Sequence, residues 1–551
     1  MRSFDRSFMV LVLYSNLILL YVTLITIKLG PLTLWSNDAW DTLQIGLKSK
    51  WNFSPITLTL PLSVLQDNSV LATSSDWPAI HRGLLAPAVM KLIHLAIVDL
   101  ELVLQLFSLL GYIGSCMFLW YIFINLKLTR FEFAVHWFSV TLAPTLAPYI
   151  LAGDTITWDL CLALGLTSTY ISDRHSISKY AQRFLLIFLI LMSRVNNIFL
   201  VFTIIIFFIM FFRRFTLRNI CSECLLLLVS SIAYWSLMLS ATPRQSNYMG
   251  GYTTHMMLVH MTPLMPGNPW FSLTDVPSSI DAVTLWATLA SKAFWIFPAI
   301  VTAVLNAGFN GSWAGIWLLG LSIANSNYRL ASLSVIINFV IYVGIFSFMS
   351  PWNRYFIIPI IVASVLGLCV FYGFRFEMSS KDSSVATSHV SQMGLFSLII
   401  VLSALTFTIN GLISTLTYSD SRDRKLQALM KELSFRPSNQ QVSRTIVEFA
   451  RNQCAPGLIV SNSPWWLAAV TEREVLPITA EITDITLVEK RTERIVTCAV
   501  LKLGLTYSGG PSWGSWFATP IPSDTEWEPG SDFIDGQDTW RILSRHGPLK
   551  G

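Results

Sequence analysis

The chain has 551 residues, 53% of them hydrophobic and only 13% charged, and its mean hydropathy is +0.57. Soluble domains carry about 25% charged residues, so a large soluble enzyme and a disordered chain are excluded, and most of the surface must face lipid. A formal charge of +5 over this length supplies no basic face for nucleic acid.

Apolar runs of the length a bilayer requires, about 20 residues, recur through the first three quarters of the chain. The first covers 8–27, after Arg2 and Arg6, and meets Lys28-Leu29-Gly30 without a small-residue cleavage site. It therefore reads as a retained anchor. A polar loop over about 30–80 comes next, and then runs near 100–125, 131–151, 155–172, 182–193, 196–212 and 220–240. Lys127 with Arg130, Arg174 with Lys179, and Arg213 with Arg214 and Arg218 sit at alternate ends of these runs. Positive residues collect in the cytoplasm, which puts the N-terminus there and the 30–80 loop on the opposite side.

A second external loop, rich in Pro, Gly, Met and aromatics, runs over about 241–291. The apolar stretch 293–307 is interrupted by Pro298 and reads as re-entrant or interfacial. Further spans near 312–325, 329–349, 355–373 and 393–416 bring the expected count to about eleven. A crossing at 283–307 would add one more and invert every later span, against the positions of Arg329, Arg375 and Lys381. The expected division is thus a membrane region over 1–416 and a polar region over 417–551.

The polar region has amphipathic helical patterns at Lys425–Leu433 and Val442–Asn452, a short strand at Gly457–Ser461, a helix at Trp465–Thr471 and a strand at Ile495–Leu501. That alternation predicts a small α/β domain, external by the span count. Seven scattered cysteines make no disulfide framework. Cys454 and Cys498 both fall in this region and can pair if it meets an oxidising compartment. The Cys221/Cys224 pair has no second ligand pair nearby and reads as incidental rather than as zinc-binding.

Ionisable groups close to the membrane carry the candidate chemistry. Asp38 and Asp41, in Trp35-Ser36-Asn37-Asp38-Ala39-Trp40-Asp41, are three apart and share a face on a helix. They read either as a general base for an acceptor hydroxyl or as part of a helix N-cap. Asp154 follows Gly153 just before a span, with the same two readings. Arg194 interrupts an apolar stretch from Phe184 to Phe212 that is too long for one span and predicts a hairpin with Arg194 at its tip. The guanidinium either grips a phosphate or snorkels to the interface. Arg354-Tyr355 stands at another external corner, and Lys292, His255 and His260 lie in or near the second loop. No HExxH, Walker A, GxGxxG or GxSxG pattern occurs in a supporting context, so neither a metal nor a nucleotide cofactor is expected.

The order of these parts resembles the GT-C superfamily of integral-membrane glycosyltransferases, especially its protein O-mannosyltransferase and lipid A aminoarabinose-transferase branch. Asp38 matches the acidic position of that branch's first loop, although Ala39 replaces its second acid and Asp41 stands where Tyr is usual. Asp154 resembles the acid after the third span, Ser193-Arg194 the Thr-Lys or Thr-Arg at a hairpin tip, and Arg354-Tyr355 the late Arg-Tyr. Ser461-Asn462-Ser463-Pro464 with Thr471-Glu472-Arg473 resembles a run in the branch's terminal domains, with Glu472 in place of Gly.

The resemblance implies an α-helical polytopic membrane protein with a small C-terminal α/β extracytoplasmic domain. With no retention signal evident, the bacterial inner membrane is expected rather than the endoplasmic reticulum. It implies transfer of a sugar, with inversion, from a polyprenyl-phosphate carrier to a lipid, glycan or protein acceptor. Asp38 is then the base, assisted by Asp41 and Asp154. Arg194, Arg354, Tyr355 and Lys292 hold the donor phosphate, and His255 and His260 line the pocket. Two other classes compete: a transporter or flippase, which commonly shows inverted repeats and acids within spans, and a non-catalytic envelope assembly protein. No inverted halves are evident, and the candidate acids fall at external corners.

Overall fold

The computed structural model describes residues 34–48, 83–128, 153–171, 177–194, 197–212, 217–241, 328–349, 353–380, 435–437, 440–452, 454–461, 475–477, 495–503, 527–535 and 538–545, with isolated positions between them. The expected spans at 8–27 and 393–416, the segment 293–307 and the helix at 425–433 lie outside the described residues, as do most of 131–151 and 312–325.

After a short strand β1 (Leu34–Ser36), the helices are α1 (Asn37–Lys48), α2 (Leu85–Ala96), α3 (Leu100–Asn125), α4 (Ile156–Ile171), α5 (Ile177–Ser193), α6 (Ile198–Phe211), α7 (Leu217–Ala241), α8 (Arg329–Met349) and α9 (Asn353–Ser380). Helices therefore stand at the expected spans near 100–125, 155–172, 182–193, 196–212, 220–240, 329–349 and 355–373. Helix α5 begins at Ile177, earlier than expected; its first turn is largely exposed, and Arg183 is the first of its residues to be buried. Helix α2 was not anticipated from the sequence.

Helix α3 starts at an Asp99 cap, whose Oδ1 accepts from the backbone N–H of Glu101 and Leu102 at 2.9 and 3.2 Å. At 26 residues and about 1.5 Å rise each it is long enough to cross a bilayer. It crosses α4 along a stripe of small residues. A Cβ on Gly111 would come 2.7 Å from Thr157 Oγ1, and Ser115 Oγ donates to the Thr157 carbonyl at 3.2 Å. Small residues let helix backbones approach closely, and packing of this kind holds membrane helices together where lipid supplies no hydrophobic drive. Because Ser108 meets Asp154 and Gly114 meets Cys161, α3 and α4 run parallel.

Helix α4 and the middle of α9 (356–370) are buried throughout and form the centre of the bundle. Helices α3, α7 and α8 instead expose apolar faces, including Ile113 and Met117, Leu225 and Leu228, and Ile337 and Val340. Lipid is the medium those faces require.

The direction of each helix follows from its contacts. Ser193 at the end of α5 meets Asp159 near the start of α4, and Arg183 meets Thr169 and Tyr170 near its finish, so α5 runs back. Tyr170 stacks on Phe208 of α6, and Glu223 of α7 binds both Tyr170 and Arg183. Tyr328, at the start of α8, stacks on Phe211, while Tyr342 further along meets Phe199. Shortly after α8 ends, α9 sets out, and its Tyr372 bonds His136 at 2.8 Å beside Phe123 of α3. The bundle thus has two distinct ends. One gathers the starts of α3, α4, α6 and α9 with the close of α5, and is called here the Arg194 end. The other, holding Arg183, Glu223 and Tyr170, is the Arg183 end.

The remaining elements are β2 (Phe435–Pro437), α10 (Gln440–Asn452), β3 (Leu458–Ser461), β4 (Val475–Pro477), β5 (Val496–Leu503), β6 (Trp527–Asp535) and β7 (Asp538–Arg545). Strands β3 to β7 form a sheet of order β4-β3-β5-β7-β6, in which β4, β3 and β5 are parallel and β7 is antiparallel to both β5 and β6. Parallel neighbours require crossover connections, consistent with helical residues at Leu467 and Thr471 between β3 and β4. A disulfide joins Cys454 and Cys498, with Cα atoms 5.6 Å apart. Arg473 ties the same corner, donating to the carbonyls of Ala450, Cys454, Ala455 and Gly457 at 2.6 to 3.2 Å. Burial of its guanidinium lowers its pKa from the ordinary value.

The sheet region attaches at the Arg194 end. Ile446, Ile459, Cys498 and Ile542 share one apolar cluster with Trp40 and Leu43 of α1, Met90 of α2, and Leu104 and Phe107 of α3. Strand β2 also pairs antiparallel with β1, immediately before α1.

Candidate functional site

The Arg194 end is built around the turn that starts α4. Gly153 turns the chain at φ +71°, and a Cβ there would lie 2.7 Å from that of Leu104. Asp154 follows, 1% exposed. Its Oδ1 accepts the Ile156 backbone N–H at 3.1 Å and the Thr155 hydroxyl at 3.5 Å, and its carbonyl accepts from Ser108 Oγ at 3.3 Å. Its other carboxylate oxygen, Oδ2, is buried without a hydrogen-bond partner among the described residues. The residue therefore does cap α4, as one of its two readings held, yet half of the carboxylate is left over.

Five residues on, Asp159 is 3% exposed inside α4. Its Oδ1 accepts from Ser193 Oγ in a short bond and from Asn197 Nδ2 at 2.9 Å. These two donors flank the tip between α5 and α6, and Arg194 lies between them. Its Nη2 donates to Thr155 Oγ1 at 2.7 Å and sits 3.8 Å from Asp154 Oδ1, while its Nε is 3.7 Å from Asp159 Oδ2. Nη1 has no hydrogen-bond or ion-pair partner among the described residues, and the side chain is 16% exposed. Two buried carboxylates thus orient one guanidinium and leave part of it open. Arg194 is held by the charge of both acids.

A continuous backbone path links this cluster to α1. Gly83 has φ +70°, and any Cβ on it would overlap the carbonyls of Met192 and Ser193. Leu84 N–H donates to Met192 O at 2.8 Å, fixing the start of α2 against the end of α5. Helix α1 lies on α2 through Gly46, where a Cβ would be 2.5 Å from Pro87 O. Its buried residues Ala39, Leu43 and Gly46 recur at helical spacing.

Helix α1 begins at Asn37, so Asp38 occupies its first turn and Asp41 the start of its second. The side chains of both lie outside the described residues, as do those of Arg354 and Tyr355, whose backbone forms the first turn of α9. All four positions belong to the Arg194 end. Lys292, His255 and His260 fall outside the described residues altogether. Among the described residues no group of three or more His, Cys, Asp or Glu is arranged to hold a metal ion. Cys221 and Cys224 are both exposed on α7.

Sequence reasoning missed Asp159. It is an acid within an apolar span, a recognised signal, but its neighbour Asp154 drew the attention. It also missed the pair at the opposite end. There Arg183 Nη1 meets Glu223 Oε1 at 2.8 Å, Tyr170 donates to Glu223 Oε2 at 2.5 Å, and the guanidinium carbon lies 3.7 Å from the centre of the Tyr170 ring.

No protein-family model matches the chain, and neither does any curated protein. Among solved structures, ArnT from Cupriavidus metallidurans in the apo state aligns over 98% of both chains at 11% identity and a TM-score of 0.47. The same protein bound to undecaprenyl phosphate aligns over 100% of both chains at 10% identity and a TM-score of 0.50. The second likeness supports a polytopic helical membrane fold. The resemblance read from the order of sequence parts is met at the level of the fold.

Proposed function

We propose that this chain is a membrane glycosyltransferase that moves a sugar from a polyprenyl-phosphate carrier to an extracytoplasmic acceptor. The observation that carries the reading is Arg194, a guanidinium braced by buried carboxylates with Nη1 open. It stands at the end of the bundle where α1 and α9 also begin, bearing Asp38, Asp41, Arg354 and Tyr355. A fixed fork of donors suits phosphate recognition. The shared fold adds support, because ArnT in that fold was crystallised with undecaprenyl phosphate.

In this mechanism Asp38 removes the proton of the acceptor hydroxyl as the anomeric carbon is attacked from the face opposite the phosphate, which inverts the centre. Asp41 assists beside it. Arg194 and Arg354, with Tyr355 and Lys292, neutralise the charge that grows on the departing phosphate. A phosphate leaves readily without an acid, so no separate general acid is assigned. Asp154 holds the α4 turn and the Arg194 fork. His255 and His260 complete the acceptor pocket, and the reaction uses neither metal nor soluble cofactor.

The Arg194 end faces away from the cytoplasm, in the bacterial inner membrane, with residues 417–551 forming the external domain. The Cys454–Cys498 disulfide supports that side, since such bonds persist in oxidising compartments. Helix α7 leaves the bundle at the Arg194 end and α8 enters at the Arg183 end. An odd number of crossings between them favours about eleven spans, with 293–307 re-entrant.

The test compares envelope lipids, glycans and proteins by mass spectrometry in cells with the protein, without it, and with Asp38→Asn. A sugar-sized mass lost in both altered strains is the expected result. An unchanged profile in the deletion overturns the transferase reading. Loss in the deletion alone, with full transfer by Asp38→Asn, removes Asp38 as the base.

A further inference from the structure

We infer that Asp159 is a positioning residue for the donor phosphate, acting through Arg194; the inference rests on the transferase reading above. Three observations converge on it. Asp159 Oδ2 faces Arg194 Nε at 3.7 Å, while its Oδ1 holds Ser193 and Asn197 on either side of the same tip. The carboxylate is buried in α4, which is itself buried along its length and wedged on α3, so the anchor cannot drift. Arg194 makes its one direct side-chain hydrogen bond, among the described residues, through Nη2 to Thr155. Without Asp159 that single bond would be left to set the plane of the guanidinium, together with the more distant Asp154.

Asp159 thus fixes the hairpin tip and the rotation of the fork in one stroke. With Nε turned to Asp159 and Nη2 to Thr155, Nη1 is left for an incoming anion. Asp159 touches no substrate in this scheme.

The experiment measures binding of undecaprenyl phosphate to the purified full-length protein in lipid nanodiscs, for the wild type, Asp159→Asn, Arg194→Ala and the double variant. Arg194→Ala is expected to weaken binding about tenfold or more. Asp159→Asn is expected to weaken it about three- to tenfold in the wild-type background, and to have no further effect once Arg194 is gone, as coupled neighbours do. A purely structural role would instead lower binding again in the double variant, and that additive loss overturns the proposal. So does wild-type binding by a folded Asp159→Asn. If the wild type does not bind undecaprenyl phosphate, the transferase reading fails first and the proposal falls with it. Should Asp159→Asn misfold, Ser193→Ala and Asn197→Ala remove one anchoring bond each. Both are expected to weaken binding only while Arg194 is present, and failure of both to do so overturns the proposal equally.

Discussion

The two ends of the bundle each bury an arginine against carboxylates, and the contrast between them separates a lock from a site. At the Arg183 end one guanidinium meets one carboxylate at 2.8 Å, lies over the Tyr170 ring and is shut away from solvent, with Arg183 4% and Glu223 7% exposed. Its Nε has no hydrogen-bond partner among the described residues, but charge is balanced one to one and three helices are pinned together. At the Arg194 end two carboxylates share one guanidinium at 3.7 and 3.8 Å, neither in direct hydrogen-bond contact with it. The guanidinium is partly exposed there, and its Nη1 has no partner among the described residues. An arrangement built only for stability would close that gap and balance the second acid, because unmatched buried charge is costly. On the proposed reading, the opening is room for a ligand.

Removing one partner of the closed pair is expected to have the largest effect on stability. Glu223→Gln leaves Arg183 uncompensated and should destabilise the protein by about 3–5 kcal/mol. Thermal unfolding in detergent reports it, and the surviving folded fraction should transfer sugar normally. A loss of activity without a loss of stability would erase the distinction between the ends.

Arg194→Ala is expected to do the reverse. Removing one donor that stabilises developing charge typically costs about 10²–10³ in rate, roughly 3–4 kcal/mol. The melting temperature should fall as well, because Asp154 and Asp159 lose their cation, but here the fraction that stays folded should still transfer slowly. Single-turnover transfer assays check the first part and unfolding scans the second.

How far the comparison could be read from the sequence depends on the range of each interaction. The spans were legible because lipid demands long apolar runs, and Asp154 and Arg194 stood out as charges interrupting them. Asp159 was hidden within a helix that resembles any capped span start. The Arg183–Glu223 pair is 40 residues apart in the chain, and neither residue announces the other. Helix α2 escaped notice because it follows a polar loop and is too short to span. Strand β6 contains Pro529 and Gly530, residue types that disfavour a strand; its ladder with β7 shifts register between Pro529 and Asp532. The roles of Asp38 and Arg354 remain readings of position, since chain order brings them to the right end without fixing their side chains.

The sheet offers a third contrast. Cys454→Ser with Cys498→Ser opens a closure of 44 residues and should lower the stability of that region by about 2–4 kcal/mol. Because β2 pairs with β1 just ahead of α1, transfer should weaken while undecaprenyl phosphate binding at Arg194 persists. Limited proteolysis of the C-terminal region and parallel binding assays distinguish the two.

The smallest effect belongs to the exposed pair on β6 and β7. Hydrogen bonding to Arg541 at 2.9 Å holds the Asp532 carboxyl below its ordinary pKa. A depressed carboxylate contributes stability above its unfolded pKa, about 3.9, and loses it as pH falls through the lower folded value. Asp532 is exposed and Arg541 partly so, so the contribution is at most about 1 kcal/mol. Asp532→Asn should flatten the acid limb of the sheet's stability curve by that amount and leave neutral-pH transfer unchanged.

The most direct measurement is a structure of the protein in lipid nanodiscs with undecaprenyl phosphate. The account predicts phosphate oxygens within hydrogen-bonding reach of Arg194 Nη1, about 2.7–3.2 Å, with the Asp38 side chain facing the same cavity. A phosphate bound elsewhere while Arg194 stays closed on Asp154 and Asp159, or Asp38 turned away from that cavity, would contradict it.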